Sequence, residues 1–467
     1  MFLFAGFRSF VFEILQTNFM LPAKKDDSQL GFYSTFEEQL SRRHPLFILA
    51  NTIEWNKFED AFSKHYCDNN GRPAKPIRLM VSLLILKHLR NLSDESVVEQ
   101  WSENSYYQYF SGEKKFACGA PCEASELVHF RHRIGTEGME LIFEESIRIN
   151  GRDGKEDKVI VDTTVQEKNI TFPTDAKLHR KIIKKCSAIA KEENIEVRQS
   201  YTRVLKKLGV DQRFRNHPKN KSKARRADKK IKTIAGRLVR ELERRIAAGS
   251  RHHNNLELFK KVLLQKRSDS KKIYSLHESD VSCISKGKEH KRYEFGNKVS
   301  LTVTQTTGVI TGALSFAGNS YDGHTLPAVL AQHEKLTGIR AREATTDRGY
   351  RGRKEIDGTK INIPQKFNQK LLTAYQQKKL KKQFRRRASV EPKIGHLKSD
   401  HRLNRNFYKG ITGDSINILL AAAAMNFKRM MNIWKGSFFG LCRKIVFLLT
   451  IFPDLMHLRA ERTKMAF

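Results

Sequence analysis

The chain is short of the residues that staple small folds and of the runs that cross membranes. Six cysteines in 467 residues, at positions 67, 118, 122, 186, 283 and 442, are too sparse for a disulfide framework and point to a reducing compartment. No apolar run reaches the ~20 residues of a membrane span. The opening MFLFAGFRSFVFEILQTNFM is cut by Arg8 and Glu13 and lacks a cleavage site, and GSFFGLCRKIVFLLTIF near the end is cut by Arg443 and Lys444. The expectation is a soluble protein with no membrane partner, and with Met20 as an alternative start. Acids are the other shortage: 50 Asp and Glu stand against 87 Lys and Arg, giving a net charge of +37 and a pI near 10.0. That balance argues against an enzyme for small anionic metabolites alone and asks for a polyanionic partner. A GxxxxGK[ST] loop is also missing, so no nucleotide cofactor is expected.

What is present excludes a disordered basic tail, because 39% of the residues are hydrophobic and 29 are Phe. Residues 1–32 read as an amino-terminal extension and 436–467 as a tail. Between 33 and 150 amphipathic helical patterns alternate with turn signals. Apolar residues recur at helical spacing around Ile77, Met80, Leu83, Leu84 and Leu89, Ser93 offers a cap for a second helix through Val97, Val98 and Trp101, and a third pattern spans Ser125 to Ile134. This zone is expected to be an all-helical DNA-binding domain, with a helix-turn-helix as one form of it. Cys118, Cys122, His129 and His132 have zinc-ligand chemistry, but their spacings are too short for a finger.

Lys158-Val-Ile-Val-Asp162 reads as a buried strand delivering a carboxylate at its tip. From 176 to 270 the pattern is helical and very basic, with 29 basic against 9 acidic residues, peaking at KNKSKARRADKK. Lys221, Lys223, Arg225 and Arg226 are its candidate DNA-binding residues, with phosphates as their target. Beyond it, Phe295–Gln305 and Val309–Phe316 read as a hairpin, Asp322 starts a helix, Ala341–Thr346 is a short strand ending in Asp347, and Lys360-Ile-Asn-Ile is another. A long basic helix from Gln369 onward contains Glu391. The order is α/β with an antiparallel edge.

Three acids differ in setting from the rest. Asp162 and Asp347 each follow an apolar strand, and Glu391 lies in the basic FRRRASVEPKIGHLKSDHRL. If the two strands are neighbours, their carboxylates meet at one edge and a crossing helix adds the glutamate. Carboxylate oxygens suit Mg²⁺ or Mn²⁺, and two such ions about 3.5 to 4 Å apart stabilise both the attacking and the leaving oxygen of a phosphodiester.

Around the glutamate the order is Phe384, two residues, Arg387, three residues, Glu391, six residues, Lys398. This resembles the Tyr-(2)-Arg-(3)-Glu-(6)-Lys signature of bacterial insertion-sequence transposases of the DDE class, with Phe in place of Tyr. Asp347-Arg-Gly-Tyr350 is similar to that class's Asp-x-Gly-Tyr/Phe motif, Val161-Asp162-Thr-Thr to its first-acid motif, and Asp322-Gly-His324 to the stretch after its central hairpin. The helical zone from about 46 to 135 is similar to the amino-terminal domain of the insertion-sequence-five family. The resemblance implies an RNase H-like core, a mixed sheet flanked by helices, over 151–435 with the basic helical insertion inside it. It further implies catalytic and metal-binding Asp162, Asp347 and Glu391, DNA contacts from Arg387, Lys398 and the adjacent Arg386, Mg²⁺ or Mn²⁺ as cofactor, and transposon inverted repeats and target DNA as partners. A homodimer in the bacterial cytoplasm, associated with the nucleoid, is expected on the same ground. Two other readings stay open: a metal-dependent nuclease without strand transfer, and an inactive DNA-binding remnant of a transposase.

Overall fold

In the computed structural model the described residues are 34–67, 73–247, 249–266, 268–285, 291–352, 354–364 and 373–436. The extension at 1–32, the alternative start at Met20 and all but the first residue of the tail lie outside them. Among the described residues seven helices come first: α1 Phe36–Gln39, α2 Pro45–Thr52, α3 Trp55–Ser63, α4 Ile77–Leu89, α5 Asp94–Glu103, α6 Ser105–Phe110 and α7 Ala124–Ile149. The cap expected at Ser93 is present, its hydroxyl accepting the Ser96 N–H at 3.0 Å. Helix α4 is not the amphipathic helix its periodicity suggested. Ile77 and every residue from Leu79 to Leu89 are buried, so it is a core helix enclosed on nearly all sides. Helix α7 runs well past the expected end at Ile134, bending at Gly135, whose φ of +59° is one that side chains disfavour.

Eight strands follow in one mixed sheet: β1 Lys158–Lys168, β2 Ser282–Ser285, β3 Tyr293–Thr304, β4 Ile310–Phe316, β5 Glu343–Thr345, β6 Glu355–Ile356, β7 Thr359–Asn362 and β8 Arg405–Asn406. Antiparallel β3 lies on one side of β1 and parallel β5 on the other, with β4 and β2 beyond β3 and β7 then β6 beyond β5. Short β8 also pairs with the far end of β1. The hairpin, the two short strands and the helix at Asp322 stand as the sequence pattern predicted.

Between β1 and β2 the chain leaves the sheet for α8 Asp175–Glu192, α9 Thr202–Asp211, α10 Pro218–Arg245 and α11 His253–Leu264. These carry a core of their own, built from Ile182, Ile231, Leu238, Leu242 and Phe259 among others. The remaining helices are α12 Asp322–Thr337, α13 Ala374–Arg387, α14 Val390–Asp400 and α15 over residues 410–436. The largest core joins α2–α7, β3, α14 and α15, so the first helices pack directly onto the sheet rather than forming a separate lobe. No described helix is long and apolar enough to cross a membrane.

Candidate active site

Strand β1 is the platform. Asp162 does not end it, as expected from the apolar run, but sits at its fifth residue. The strand continues to Lys168 because Thr163 to Glu167 stay in register with β3, Thr163 opposite Ser300 and Gln166 opposite Asn297. On the other side the parallel register pairs Val159 with Ala344 and Ile160 with Thr345. The two strands are neighbours, as expected, but β5 ends at Thr345, so Asp347 lies in the turn two residues beyond it. Asp347 is held by local chemistry, its Oδ1 accepting the Gly349 N–H at 2.8 Å in the turn Arg348–Tyr350.

Glu391 arrives from the opposite direction. The single long helix expected from Gln369 onward is two helices, α13 and α14, with the break at Ala388 and Ser389. Pro392 explains it: proline has no N–H to offer the Ala388 carbonyl, and its ring crowds that carbonyl. In the first turn of a new helix the missing donor costs nothing. Val390 and Leu397 are buried and Ile394 packs against the same core, which orients α14. Glu391 and Lys398, two turns apart, therefore share a face.

Arg387 joins the acids. At the end of α13, its Nη1 lies 3.5 Å from Asp162 Oδ2 and its Nη2 3.3 Å from Glu391 Oε1. The guanidinium is mostly covered, whereas the Glu391 side chain is 65% exposed. Lys398, expected at a phosphate, has its Nζ 3.6 Å from Glu294 Oε1 on β3. Arg386 is exposed, among the basic side chains of α13 that line a surface groove. Among the described residues no group of three His, Cys, Asp or Glu side chains is close enough together to hold a metal ion. The donor set of Asp162, Asp347 and Glu391 is all hard oxygen, which fits Mg²⁺ or Mn²⁺ in kind, and Arg387 supplies the positive charge between two of the three. Cys122 is buried, Cys118 exposed, and His129 and His132 exposed on α7.

Tyr350 is buried in the apolar cluster that joins β1, β5 and α12. It is 1% exposed, and burial first, then the charges of Asp162, Asp322 and Asp347, hold its hydroxyl well above the ordinary range, so it remains protonated. That hydroxyl and the Ser300 hydroxyl are both buried and face each other, an interaction that offsets part of the upward shift. Sequence reasoning assigned no role to Asp322, Lys298 or Thr163, which meet here. The available signal was the position of Asp322 directly after the hairpin. In the insertion, Lys221, Lys223, Arg225 and Arg226 are exposed on α10, with Lys223 Nζ 3.1 Å from Asp211 Oδ1.

Comparison with known families agrees with this architecture. The Transposase domain (DUF772) family matches residues 34–133, and the Transposase DDE domain family matches residues 269–427. The first range covers most of the leading helices and the second the sheet beyond the insertion, with Asp347 and Glu391 inside it. A Rhizobium meliloti protein, ORF8 of the nfe locus, is 41% identical over 191 residues, which make up 40% of this chain and 92% of that protein. No solved structure matches. The class defined is a DNA-processing enzyme on an RNase H-like fold, a mixed sheet flanked by helices. Within it, this chain belongs to the DDE transposases of insertion sequences.

Proposed function

We propose that this transposase, of the insertion-sequence-five group, cuts DNA at the ends of its element and joins the freed 3′ ends to target DNA, with Asp162, Asp347 and Glu391 as its catalytic carboxylates. The observation that supports the reading is the parallel β1–β5 pairing, which ends with Ile160 opposite Thr345, two residues before each aspartate, together with the ion pairs of Arg387 to both Asp162 and Glu391. The three carboxylates would hold Mg²⁺ or Mn²⁺, which when bound supplies charge stabilisation to the attacking and leaving oxygens of the phosphodiester. The chain itself contributes one aspartate on β1, one in the turn after β5 and a glutamate in the first turn of α14. It also contributes an arginine suited to bidentate phosphate contact once DNA enters. Arg386 and Lys398 extend that contact along the backbone, and Lys221, Lys223, Arg225 and Arg226 grip phosphates further out.

The working organisation is a helical DNA-binding unit over 33–150 and a catalytic unit over 151–435 interrupted by the basic insertion at 176–270. Joining two element ends at nearby target positions calls for a homodimer acting at the nucleoid in the bacterial cytoplasm. The test incubates purified protein and Mg²⁺ or Mn²⁺ with a plasmid carrying the gene's flanking DNA. Metal-dependent cleavage at the element ends, lost in Asp162→Asn, Asp347→Asn and Glu391→Gln, is the expected result. Cleavage without joined products would make it a nuclease. Salt-sensitive binding alone, equal in wild type and variants, would make it a DNA-binding remnant.

A further inference from the structure

Asp322 bonds the chain neighbour of Asp162 and lies near the glycine that anchors Asp347. It opens α12 directly after the β3–β4 hairpin, yet its carboxylate does not cap that helix. Its Oδ1 accepts the Thr163 hydroxyl at 2.9 Å and the Lys298 ammonium at 2.9 Å. Thr163 is the residue after Asp162 on β1. The Asp322 Oδ2 lies near Gly349: a Cβ built there would lie 2.9 Å from that oxygen and 2.9 Å from Asp347 Oδ1. Gly349 is the residue whose N–H anchors Asp347. Tyr321, just before Asp322, donates its hydroxyl to the Arg351 carbonyl at 2.5 Å and so fastens the same loop from its far end.

Asp322 and Asp347, both beside Gly349, would repel one another unless charge is balanced. Lys298 supplies the balance from β3, where it is only 10% exposed, and it is itself fixed by the Ser320 carbonyl at 2.6 Å. The buried Tyr350 hydroxyl feels the charges of Asp162, Asp322 and Asp347 and lies beside the Ser300 hydroxyl, which marks the place as a polar centre.

We propose that Asp322 is a positioning residue of the active site, holding Asp162 through Thr163 and Asp347 through the Gly349 turn, with Lys298 cancelling its charge. The proposal rests on the assignment of Asp162 and Asp347 as the catalytic pair. Because Asp322 reaches the chemistry only through these neighbours, its loss loosens the spacing of the pair without touching DNA.

The full chain is compared as wild type, Asp322→Asn, Asp322→Glu, Thr163→Val and Asp162→Asn. One measurement is the Mn²⁺ concentration giving half of the thermal shift of the DNA-free protein, and the other is kcat and KM for end cleavage. D322N is expected to raise the Mn²⁺ half-point at least fivefold and to lower kcat at least tenfold with KM for DNA unchanged. T163V should show a smaller shift of the same kind, and D322E should recover part of the loss. A Mn²⁺ half-point and kcat within twofold of wild type in D322N overturns the proposal, as does a loss confined to melting temperature and KM. Should D322N not fold, wild-type behaviour of T163V overturns it equally. Wild-type cleavage by D162N would instead remove the catalytic-pair assignment and the proposal with it.

Discussion

Arg387 stands between Asp162 and Glu391 as a cation held 3.3 to 3.5 Å from each. A divalent ion drawn to the same carboxylates must compete with it. Arg387→Gln is therefore expected to lower the Mn²⁺ concentration needed to stabilise the DNA-free protein. The same change should reduce end cleavage at least tenfold through the lost phosphate contact, and titration calorimetry together with cleavage rates would read both effects. A second residue sets a pH limit. His333 on α12 is fully buried, its Nδ1 2.8 Å from Thr311 Oγ1, and burial pulls its pKa down to about 4. The unfolded chain, near 6.5, binds more protons between these values, so stability rises with pH through that window and falls on acidification from 6.5 to 4. The cost at pH 4 is at most about 3 kcal/mol. Urea midpoints at pH 7 and pH 4.5 should differ by less in His333→Gln than in the wild type.

At the scale of elements, α10 shows why a basic run can still fold. Ala224, Ala227, Ile231, Ile234, Ala235, Leu238 and Leu242 recur at helical spacing and are buried, which leaves the lysines and arginines for the outer face. On the proposed phosphate-gripping role of that face, each phosphate it neutralises releases counterions and adds about 1 to the salt slope of DNA binding. Lys221→Gln with Arg225→Gln is expected to flatten the slope by about 2 and weaken unrelated sequences equally; fluorescence anisotropy across salt concentrations would show it. The break between α13 and α14 was written in the sequence as Pro392, but a run this basic and helical hid the proline's consequence. The length of β1 was hidden too: Thr163, Gln166, Glu167 and Lys168 look like a polar loop until β3 and β8 pair with them.

The whole molecule is tied together by a buried charge cluster. Asp94 on α5 receives both Arg131 Nη groups at 2.7 and 2.8 Å and Lys87 Nζ at 2.8 Å. Both cations lie 4.6 Å from the ring centre of Tyr408, just beyond β8. The cluster thus fastens α4, α5 and α7 to the end of the catalytic sheet. Burial, with Arg131 nearby, lowers the Lys87 pKa to about 7. Asp94→Ala strands two cations in the interior and should cost about 3–5 kcal/mol; chemical denaturation at pH 7 would measure it. A loss below 1 kcal/mol would mean the helices are held by apolar packing alone.

Sequence by itself determined the chemistry and the local elements of this protein. The charge excess called for a polyanion, the spacing from Phe384 to Lys398 identified the family, and alternation and turn residues placed the hairpin and short strands, because these are properties of neighbouring residues. Tertiary structure decided what depends on distant ones. Only pairing of β1 with β5 brings the strands before Asp162 and Asp347 side by side, and only the packing of α14 and α13 puts Arg387 between Asp162 and Glu391. The enclosure of α4, the shared core of the leading helices and the sheet, and the contact of Asp322 with Thr163 and Lys298 likewise join segments up to some 330 residues apart. Local periodicity carries no record of such neighbours, since the free energy that selects them comes from burying and pairing groups the chain brings together only when folded.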